Sequence, residues 1–206
     1  MNSELNSILA LLAQKGCVVL TGAGISQESG IPTFREAQTG LWAKYDPHKL
    51  ATLVPEFALI TQNVDGLHAL EGSKNLLELH GNINRFKCFG SAHKASNVEL
   101  GLKEPPLCFC GQPLRPDVVW FGESLDSGIL NAAYAYAKRS CVFIVVGTSG
   151  VVQPAASLPY IAKEVGSRVI EINPEESGIT PIADIYLKGS AASRLPELVS
   201  WVKSLN

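Results

Sequence analysis

Five short apolar runs constrain the fold of this chain more than any other feature of its sequence. Each run has four to six residues, is rich in valine, isoleucine and leucine, and gives way to glycine and small polar residues. The runs cover residues 17–20, 57–61, 76–79, 141–146 and 169–172. Helical patterns lie between the later runs, and strands that alternate with helices form a parallel sheet. The sequence therefore predicts an α/β fold, with a ligand site at the carboxyl edge of the sheet.

The composition argues against several classes of protein. Of the 206 residues, 46% are hydrophobic and 17% are charged, which is typical of a globular chain. The formal net charge of −2 and the lack of a long Lys/Arg run predict neither a nucleic-acid partner nor a membrane surface. Five cysteines without a secretory signal favour free thiols or a metal site over disulfides. Residues 1–15 resemble an amphipathic helix and not a signal peptide, so we expect a cytoplasmic protein.

Glycines follow the first apolar run directly. Gly22 and Gly24 free the backbone for a tight turn, and Ser26 is placed to cap a short helix that ends at Gly30. Such a unit aims backbone N–H groups and the positive end of a helix dipole at one point, where a pyrophosphate binds. The spacing is not the full G-x-G-x-x-G, so a tight turn that binds nothing is an equally good interpretation of this stretch alone.

The composition changes between the third and fourth apolar runs. Residues 86–113 are rich in glycine and proline and contain Cys88, Cys108 and Cys110. Cysteines on such loops suggest a small module that is held together by zinc, which needs four ligands. Ser91 stands where C-x2-C spacing from Cys88 would place a fourth cysteine, and His93 is then the candidate for the fourth ligand. A metal-free loop with free thiols is the alternative.

Six motifs of the chain occur together, in the same order, in one known family. They are Gly22-Ala23-Gly24-Ile25-Ser26 with Gly30-Ile31-Pro32-Thr33-Phe34-Arg35, Thr61-Gln62-Asn63-Val64-Asp65-Gly66-Leu67-His68, Glu78-Leu79-His80-Gly81, Leu114-Arg115-Pro116-Asp117-Val118-Val119-Trp120-Phe121-Gly122-Glu123, Gly147-Thr148-Ser149 and Asn173-Pro174-Glu175. On these residues the chain resembles the sirtuins, a family of NAD-dependent protein deacylases, over nearly its whole length. The residues around Gly40-Leu41-Trp42 and Val118–Glu123 are most similar to the branch with desuccinylases and demalonylases (class III).

The resemblance implies a Rossmann-like NAD-binding domain of residues 1–85 and 114–206, with a zinc-ribbon-like module inserted at 86–113. It also implies that acyl groups are removed from protein lysine with NAD, which gives nicotinamide, O-acyl-ADP-ribose and free lysine. In sirtuins the acyl oxygen attacks the ribose carbon as nicotinamide leaves, and a histidine takes a proton from a ribose hydroxyl. His80 matches that base, and imidazole suits this step at neutral pH. His68 matches a structural histidine.

The same resemblance assigns residues to the two substrates. Asn63, also expected to be catalytic, and Asp65 match residues that hold nicotinamide and its ribose. Phe34 matches a loop residue that shields the reacting carbon from water. The full set expected to bind NAD is Gly22, Ala23, Gly24, Ile25, Phe34, Arg35, Gln62, Asn63, Asp65, Gly147, Thr148, Ser149, Asn173, Glu175 and Ala191. The residues that resemble the strand on which the acylated peptide lies are Val119, Trp120, Phe121, Gly122 and Glu123, with Trp120 in the acyl-lysine channel.

The chain departs from the family between Thr52 and Phe57. Sirtuins carry a much longer segment there, whereas this chain has only Leu53-Val54-Pro55-Glu56, so we expect one face of the sheet to be thinly covered. The missing stretch includes the Tyr and Arg that bind acidic acyl groups in the desuccinylase branch, so this selectivity does not transfer. Deacetylation is the simpler expectation. Two alternatives stay open: an impaired NAD- or ADP-ribose-binding protein, and a protein ADP-ribosyltransferase.

Overall fold

In the part of the chain that the structure describes, six strands lie side by side in one parallel sheet. The computed structural model describes residues 3–27, 48–91, 93–95, 98 and 105–205. The six strands are β1 (Cys17–Thr21), β2 (Phe57–Thr61), β3 (Leu76–Glu78), β7 (Val142–Val146), β8 (Arg168–Asn173) and β9 (Ile185–Lys188). Their order is β3-β2-β1-β7-β8-β9. The strand order reverses between β1 and β7, and open parallel sheets bind ligands at the carboxyl ends of such strands.

Helices cover both faces of this sheet because its central strands are apolar on both sides. The α-helices are α1 (Ser3–Lys15), α2 (Gly24–Gln27), α3 (His48–Ala51), α4 (Leu67–Leu70), α5 (Ser127–Arg139), α6 (Leu158–Glu164) and α7 (Ala191–Lys203), with 3-10 turns at Ala155–Ser157 and Thr180–Ile182. Leu9 of α1 and Leu198 of α7 belong to the core on one face. Ala133 of α5 and Ala162 of α6 belong to the core on the other. None of these described helices is long and apolar enough to cross a membrane.

The predicted α/β fold with a parallel sheet between helices is confirmed, and the structure corrects two details. The sequence predicted five strands, but β9 adds a sixth at the edge of the sheet. Its residues are partly buried or exposed, and its apolar run is shorter than those that mark the central strands. Helix α2 begins at Gly24, so Ser26 lies inside this helix and not before it, and the predicted helix end at Gly30 lies outside the described residues.

The cysteine-containing segment belongs to a second, antiparallel sheet of three strands, with the order β5-β4-β6. Its strands are β4 (Gly81–Cys88), β5 (Lys94–Ala95) and β6 (Leu114–Val118). Gly81 pairs with Val118 at one end of the β4–β6 ladder, and Cys88 pairs with Leu114 at the other. The described residues of the predicted module at 86–113 lie at this far end, and the division of the chain into two domains stays a prediction.

The short segment before β2 is joined to β1 by a close backbone contact. The amide of Cys17 donates to the carbonyl of Glu56 at 2.8 Å. Gly16 has a φ of +91°, and a Cβ there would lie only 1.9 Å from the same oxygen, so glycine is required. Beside this contact, at the amino end of the sheet, a cavity of about 400 Å³ is lined by residues that include Lys15, Phe57, Asn75, Tyr136 and Arg139. Val18 and Ala58 also line this cavity and are nevertheless buried.

A buried carboxylate connects β8, α6 and the segment before β9. Asp184 accepts hydrogen bonds from Lys163 of α6 at 2.6 Å and from Arg168 of β8 at 2.9 Å. The amide of Val169 donates to the same carboxylate at 2.7 Å. Burial opposes the ionised form, but these donors outweigh it and hold the pKa of Asp184 below its ordinary value. The ionised carboxylate therefore stabilises the folded chain.

We expect Asp184→Asn to lower the free energy of unfolding at pH 7 by about 1–2 kcal/mol, because two cations lose their charged partner. Since the folded pKa is lowered, this stabilisation is present above the unfolded pKa of about 3.9 and is lost as the pH falls through the folded pKa. Urea unfolding at pH 7 and pH 3 should show a gap between the two proteins that narrows at pH 3. Glu164→Gln, at an exposed position of α6, is the control and should change stability by less than about 0.5 kcal/mol. An equal gap at both pH values would contradict this role.

Candidate active site

A cleft of about 740 Å³ opens at the carboxyl edge of the large sheet, where β1, β2, β7 and β8 end. The predicted NAD-binding residues that line it are Gly22, Ala23, Gly24, Gln62, Asn63, Gly147, Thr148, Ser149, Asn173 and Glu175. The predicted base and substrate-binding residues also line it: His80, Val119, Trp120, Phe121, Gly122 and Glu123. The structure thus gathers most of the predicted site residues around one cavity, while their roles stay predictions. Two further predicted residues, Phe34 and Arg35, lie outside the described residues.

Three predicted residues are described but do not line the cleft. Ile25 and Ala191 are buried in the hydrophobic core. The carboxylate of Asp65 accepts the amide of Leu67 at 3.0 Å, at the start of α4. The wall also contains Val64, Val118 and Pro174, which lie inside the quoted motifs but were given no role. The wall residues that lie outside the motifs are Leu125, Val152, Gln153, Glu176 and Ser177. Each of these is within four positions of a predicted residue, so a longer stretch after each motif would have included them.

The turns that follow β1 and β7 touch each other through glycine backbone. A Cβ on Gly22 would lie 2.7 Å from the carbonyl oxygen of Gly147, and one on Gly24 would lie 2.9 Å from its Cα. Gly147 itself has a φ of +60°, and a Cβ there would meet the amide nitrogen of Ile25 at 2.5 Å. The close approach of the two strand ends is therefore a sufficient reason for glycine at these positions.

This contact also engages the amides that were expected to bind a pyrophosphate. The amides of Gly22 and Gly24 donate to the carbonyls of Val146 and Gly147, and the amide of Ile25 donates to the carbonyl of Gly22. These three N–H groups are therefore not available as the predicted pyrophosphate donors. The glycines instead supply a wall without side chains, which allows a ligand to approach the backbone closely.

His80 lies where the chain passes from β3 of the large sheet to β4 of the small one. Its Nδ1 is 2.9 Å from the carbonyl oxygen of Gln62, which can only accept a hydrogen bond. In the neutral imidazole the proton is therefore on Nδ1, and Nε2 is left as an acceptor. The carbonyl of His80 also accepts the amide of Val119 at 2.9 Å. Ring and backbone are thus both held in place in the cleft wall.

Gln62 and Asn63 are held by hydrogen bonds to the strand ends on either side. The backbone amide of Gln62 donates to the carbonyl of Thr21 at 3.0 Å, and its side-chain amide donates to Thr148 Oγ1 at 3.0 Å. The backbone amide of Asn63 donates to Thr61 Oγ1 at 3.1 Å, and the residue is only 8% exposed. The segment after β2 is therefore an ordered part of the cleft wall.

A buried carboxylate orders the opposite wall, after β8. Glu171 is fully buried and accepts the hydroxyls of Ser177 at 2.5 Å and Thr180 at 2.6 Å. The side-chain amide of Asn173 donates to Glu171 at 3.3 Å and to the carbonyl of Thr148 at 2.8 Å. These bonds compensate for the burial of the polar side chain and tie the loop after β8 to the turn after β7. The sequence reasoning missed Glu171, and the available signal was an acidic residue inside an apolar run.

The stretch expected to be a peptide-pairing strand is a turn. Strand β6 ends at Val118, and the amide of Glu123 donates to the carbonyl of Trp120 at 2.9 Å. The amide of Trp120 donates to the Glu123 carboxylate at 3.0 Å. The amide of Val119 donates to His80. Three of the five amides are thus hydrogen-bonded within the chain, and the expectation of a strand here is wrong.

Arg115 supports this turn from the small sheet. Its guanidinium pairs with the carboxylate of Glu123, donates to the carbonyl of Val118 at 2.9 Å and lies 4.1 Å from the centre of the Trp120 ring. The hydrogen bond from Arg115, with that from the amide of Trp120, lowers the pKa of Glu123. Trp120 remains 48% exposed, so part of its indole is accessible to a substrate in the cleft.

The predicted metal ligands come together at the far end of the small sheet. One ligand atom from each of Cys88, His93, Cys108 and Cys110 lies within 4.8 Å of the others. The sulfurs of Cys88 and Cys110 are 3.5 Å apart, and the sulfur of Cys108 is 3.7 Å from His93 Nδ1. Zinc bond lengths of about 2.3 Å to sulfur and 2.0 Å to nitrogen place tetrahedral ligands roughly 3.5–3.8 Å apart. Three thiols and one imidazole therefore fit a structural zinc ion.

The thiols of the chain differ in their readiness to ionise. Hydrogen bonding, foremost from Ser91, lowers the pKa of Cys88 to about 6. The hydroxyl of Ser91 also lies 2.8 Å from Nδ1 of His93. Burial raises the pKa of Cys17 to about 12, which agrees with its predicted place in the core.

Comparison with known families decides between the interpretations of this cleft. The profile of the Sir2 family matches residues 22–55 and 49–154, which together cover more than half of the chain. The chain belongs to the Sir2 family. It is 44% identical to the NAD-dependent protein deacylase of Pyrococcus furiosus, with 100% of both chains covered. The predicted resemblance to sirtuins is therefore confirmed, and the branch within the family stays a prediction.

Solved Sir2 structures share the fold of this chain. A Sir2 homologue in complex with NAD is 36% identical, with a TM-score of 0.81 over 100% of this chain and 95% of that one. Sir2Af2 bound to a myristoylated histone peptide is 34% identical, with a TM-score of 0.77 over 100% and 98% of the two chains. At these identities the Rossmann-like fold of this Sir2 protein is secure.

This Sir2 protein is shorter than its relative from Pyrococcus. Their alignment runs over 252 positions, although this chain has 206 residues. The two segments that match the family profile overlap at residues 49–55, which indicates a break in the family pattern at this point. This break overlaps the region between Thr52 and Phe57, where the sequence departs from the sirtuin motifs.

The metal site can be tested by changing its histidine. We expect the purified protein to hold one zinc ion. His93→Ala should weaken zinc binding by at least about tenfold, because a residue that binds the metal directly is lost. His93→Cys gives a site with four thiols and should keep the metal. Ser91→Ala is the control and should change the zinc affinity far less than His93→Ala does. Competition with a chromophoric chelator gives the affinities, and elemental analysis gives the metal content. Equal affinities of the wild type and His93→Ala would remove His93 from the ligand set.

Proposed function

We propose that this Sir2 protein removes acyl groups from lysine side chains of proteins and consumes NAD in the reaction. NAD, acyl-lysine and water give nicotinamide, O-acyl-ADP-ribose and free lysine. The relative from Pyrococcus furiosus is named an NAD-dependent protein deacylase, and solved homologues hold NAD or a myristoylated histone peptide. The cleft of this chain lies where the strand order of the sheet reverses, between β1 and β7, and open parallel sheets bind ligands at such points.

The observation that carries this proposal is the state of the His80 ring. Nδ1 donates to the carbonyl of Gln62, so Nε2 is the unprotonated nitrogen of a ring that lines the cleft. A fixed imidazole with one free acceptor can take a proton from a ribose hydroxyl of NAD. The carbonyl of Gln62 also stabilises the ring after it has accepted that proton, since Nδ1–H remains hydrogen-bonded.

The two ends of NAD are proposed to lie along the two walls described above. The nicotinamide end lies toward Gln62 and Asn63, next to His80. The adenosine end lies toward Thr148 and Asn173, with the remaining predicted contacts at Gly22, Ala23, Gly24, Gly147, Ser149 and Glu175. Asp65, Ile25 and Ala191 lie off this wall and are proposed to act only through the segments that they hold. The roles of Phe34 and Arg35 stay predictions.

The acylated lysine is proposed to enter beside the turn of Trp120 and Glu123. Among the described wall residues there are three carboxylates, from Glu123, Glu175 and Glu176, and no lysine or arginine. A buried carboxylate on the acyl group needs a cationic partner, so this wall supports a neutral acyl group such as acetyl. The substrate is an acylated protein or peptide, and a cytoplasmic location stays a prediction.

Activity and acyl preference can be measured together. One peptide is prepared with acetyl-, pentanoyl-, succinyl- and unmodified lysine, and nicotinamide release from NAD is followed. We expect kcat/KM to be at least about tenfold higher for the neutral acyl groups than for succinyl, because of the unpaired carboxylate. Pentanoyl is close to succinyl in size, so it separates charge from length. Preference for succinyl would contradict the proposed acyl class. If no peptide gives nicotinamide release, the alternative of a binding protein without turnover is favoured. If labelled NAD transfers its label to a protein, the alternative of an ADP-ribosyltransferase is favoured.

The role of His80 is tested by His80→Asn. The asparagine amide can still donate to the Gln62 carbonyl, but it offers no basic nitrogen. We therefore expect NAD affinity to stay within about threefold, while turnover falls about 10²–10⁴-fold. Calorimetry with NAD and the nicotinamide-release assay provide the two measurements. Turnover close to that of the wild type would exclude His80 as the base.

A further inference from the structure

A row of hydrogen bonds lies behind the cleft wall and involves three side chains and one backbone amide. His68 Nε2 is 3.0 Å from Thr21 Oγ1, and Thr21 Oγ1 donates to Thr61 Oγ1 at 2.8 Å. The backbone amide of Asn63 donates to the same Thr61 oxygen at 3.1 Å. All four residues are buried, with exposures between 0% and 8%. Buried polar groups are costly unless they are paired, so this row is a specific arrangement.

The direction of the other hydrogen bonds in this row follows from the bond in which Thr21 donates to Thr61. A threonine hydroxyl has one proton, and that of Thr21 is used toward Thr61. Thr21 Oγ1 must then accept from His68, so the Nε2 atom of His68 carries a proton. Thr61 Oγ1 accepts both from Thr21 and from the amide of Asn63. The row therefore runs from α4, across the ends of β1 and β2, to the backbone of Asn63.

The row ends at the part of the wall that contains the proposed chemistry. Thr21 and Thr61 are register partners and the last residues of their strands. Thr21 leads directly into the glycine turn, and Thr61 is followed by Gln62, whose carbonyl holds the His80 ring. A shift of Thr61 Oγ1 would move the amide of Asn63 and, through the chain, that carbonyl.

We infer that His68 and Thr21 are positioning residues, which act through Thr61 to set the place of Asn63 in the cleft. The resemblance to sirtuins treats His68 as merely structural, whereas the geometry gives it a defined link to the proposed nicotinamide wall. This inference rests on the proposed function, because Asn63 is the residue proposed to hold nicotinamide. His68 itself is not among the residues that line the cleft.

The test compares paired substitutions that remove or keep one hydrogen-bonding group at similar shape. Thr21→Val removes the hydroxyl, and Thr21→Ser keeps it. At the other end of the row, His68→Leu removes the donor, and His68→Gln keeps an N–H group at a comparable position. Each full-length variant is assayed with varied NAD, with varied acetyl-peptide and with added nicotinamide, and thermal unfolding is recorded alongside.

We expect Thr21→Val and His68→Leu to raise the KM for NAD and the inhibition constant of nicotinamide about tenfold, the effect of losing one buried hydrogen bond. The KM for the peptide should change by less than about threefold, because Arg115 holds the turn at Trp120 in addition to the hydrogen bond between Val119 and His80. Thr21→Ser and His68→Gln should stay within about threefold of the wild type in every constant.

Equal effects within each pair would overturn the inference, as would a lower melting temperature with an unchanged KM for NAD. If one site does not tolerate its apolar substitution, the pair at the other site gives the same comparison. A wild-type chain without turnover would instead refute the proposed function. NAD affinities of the same variants, measured by calorimetry, would then decide the positioning role on their own.

Discussion

The contact between the glycine turns after β1 and β7 determines the shape of the cleft. The backbone of Gly24 meets that of Gly147 so closely that no Cβ fits between them. Thr148, the next residue, accepts a hydrogen bond from Gln62 on one side and from Asn173 on the other. The walls after β2 and β8 are thus connected to each other through the turn after β7. A longer side chain at the glycine contact would separate these walls.

The parallel sheet could be predicted because the residues that mark each strand are neighbours in the sequence. Apolar runs of four to six residues, each followed by polar residues, show both where the strands lie and at which edge they end. Edge strand β9 gave a weaker signal, because its apolar run, Ile185-Tyr186-Leu187, has only three residues before Lys188. The motifs likewise located the cleft residues, since most of them directly follow a strand end.

What the sequence could not show depends on partners that are distant along the chain. Nothing local indicates that the amides of Gly22 and Gly24 are engaged by the turn after β7. The turn at Trp120 is supported by Arg115 from the small sheet, whereas the resemblance to sirtuins implied a strand there. Glu171 and Asp184 are acidic residues in apolar stretches of the sequence. The hydroxyl, amide and cationic groups that donate hydrogen bonds to them come from other parts of the chain. Tertiary contacts override local pattern at these positions.

The place of His80 at the corner between the two sheets also has a mechanical consequence. Gly81 begins β4, and the strand runs from there to Cys88, a distance of about 23 Å at 3.3 Å per residue. A rotation of the small sheet by about ten degrees around this corner would displace its cysteine end by roughly 4 Å. The His80 ring would hardly move, because it lies close to the axis of this rotation and is hydrogen-bonded to Gln62 at the end of a strand of the large sheet. Such a rotation would therefore change the position of the outer end of the small sheet and leave the His80 ring in place.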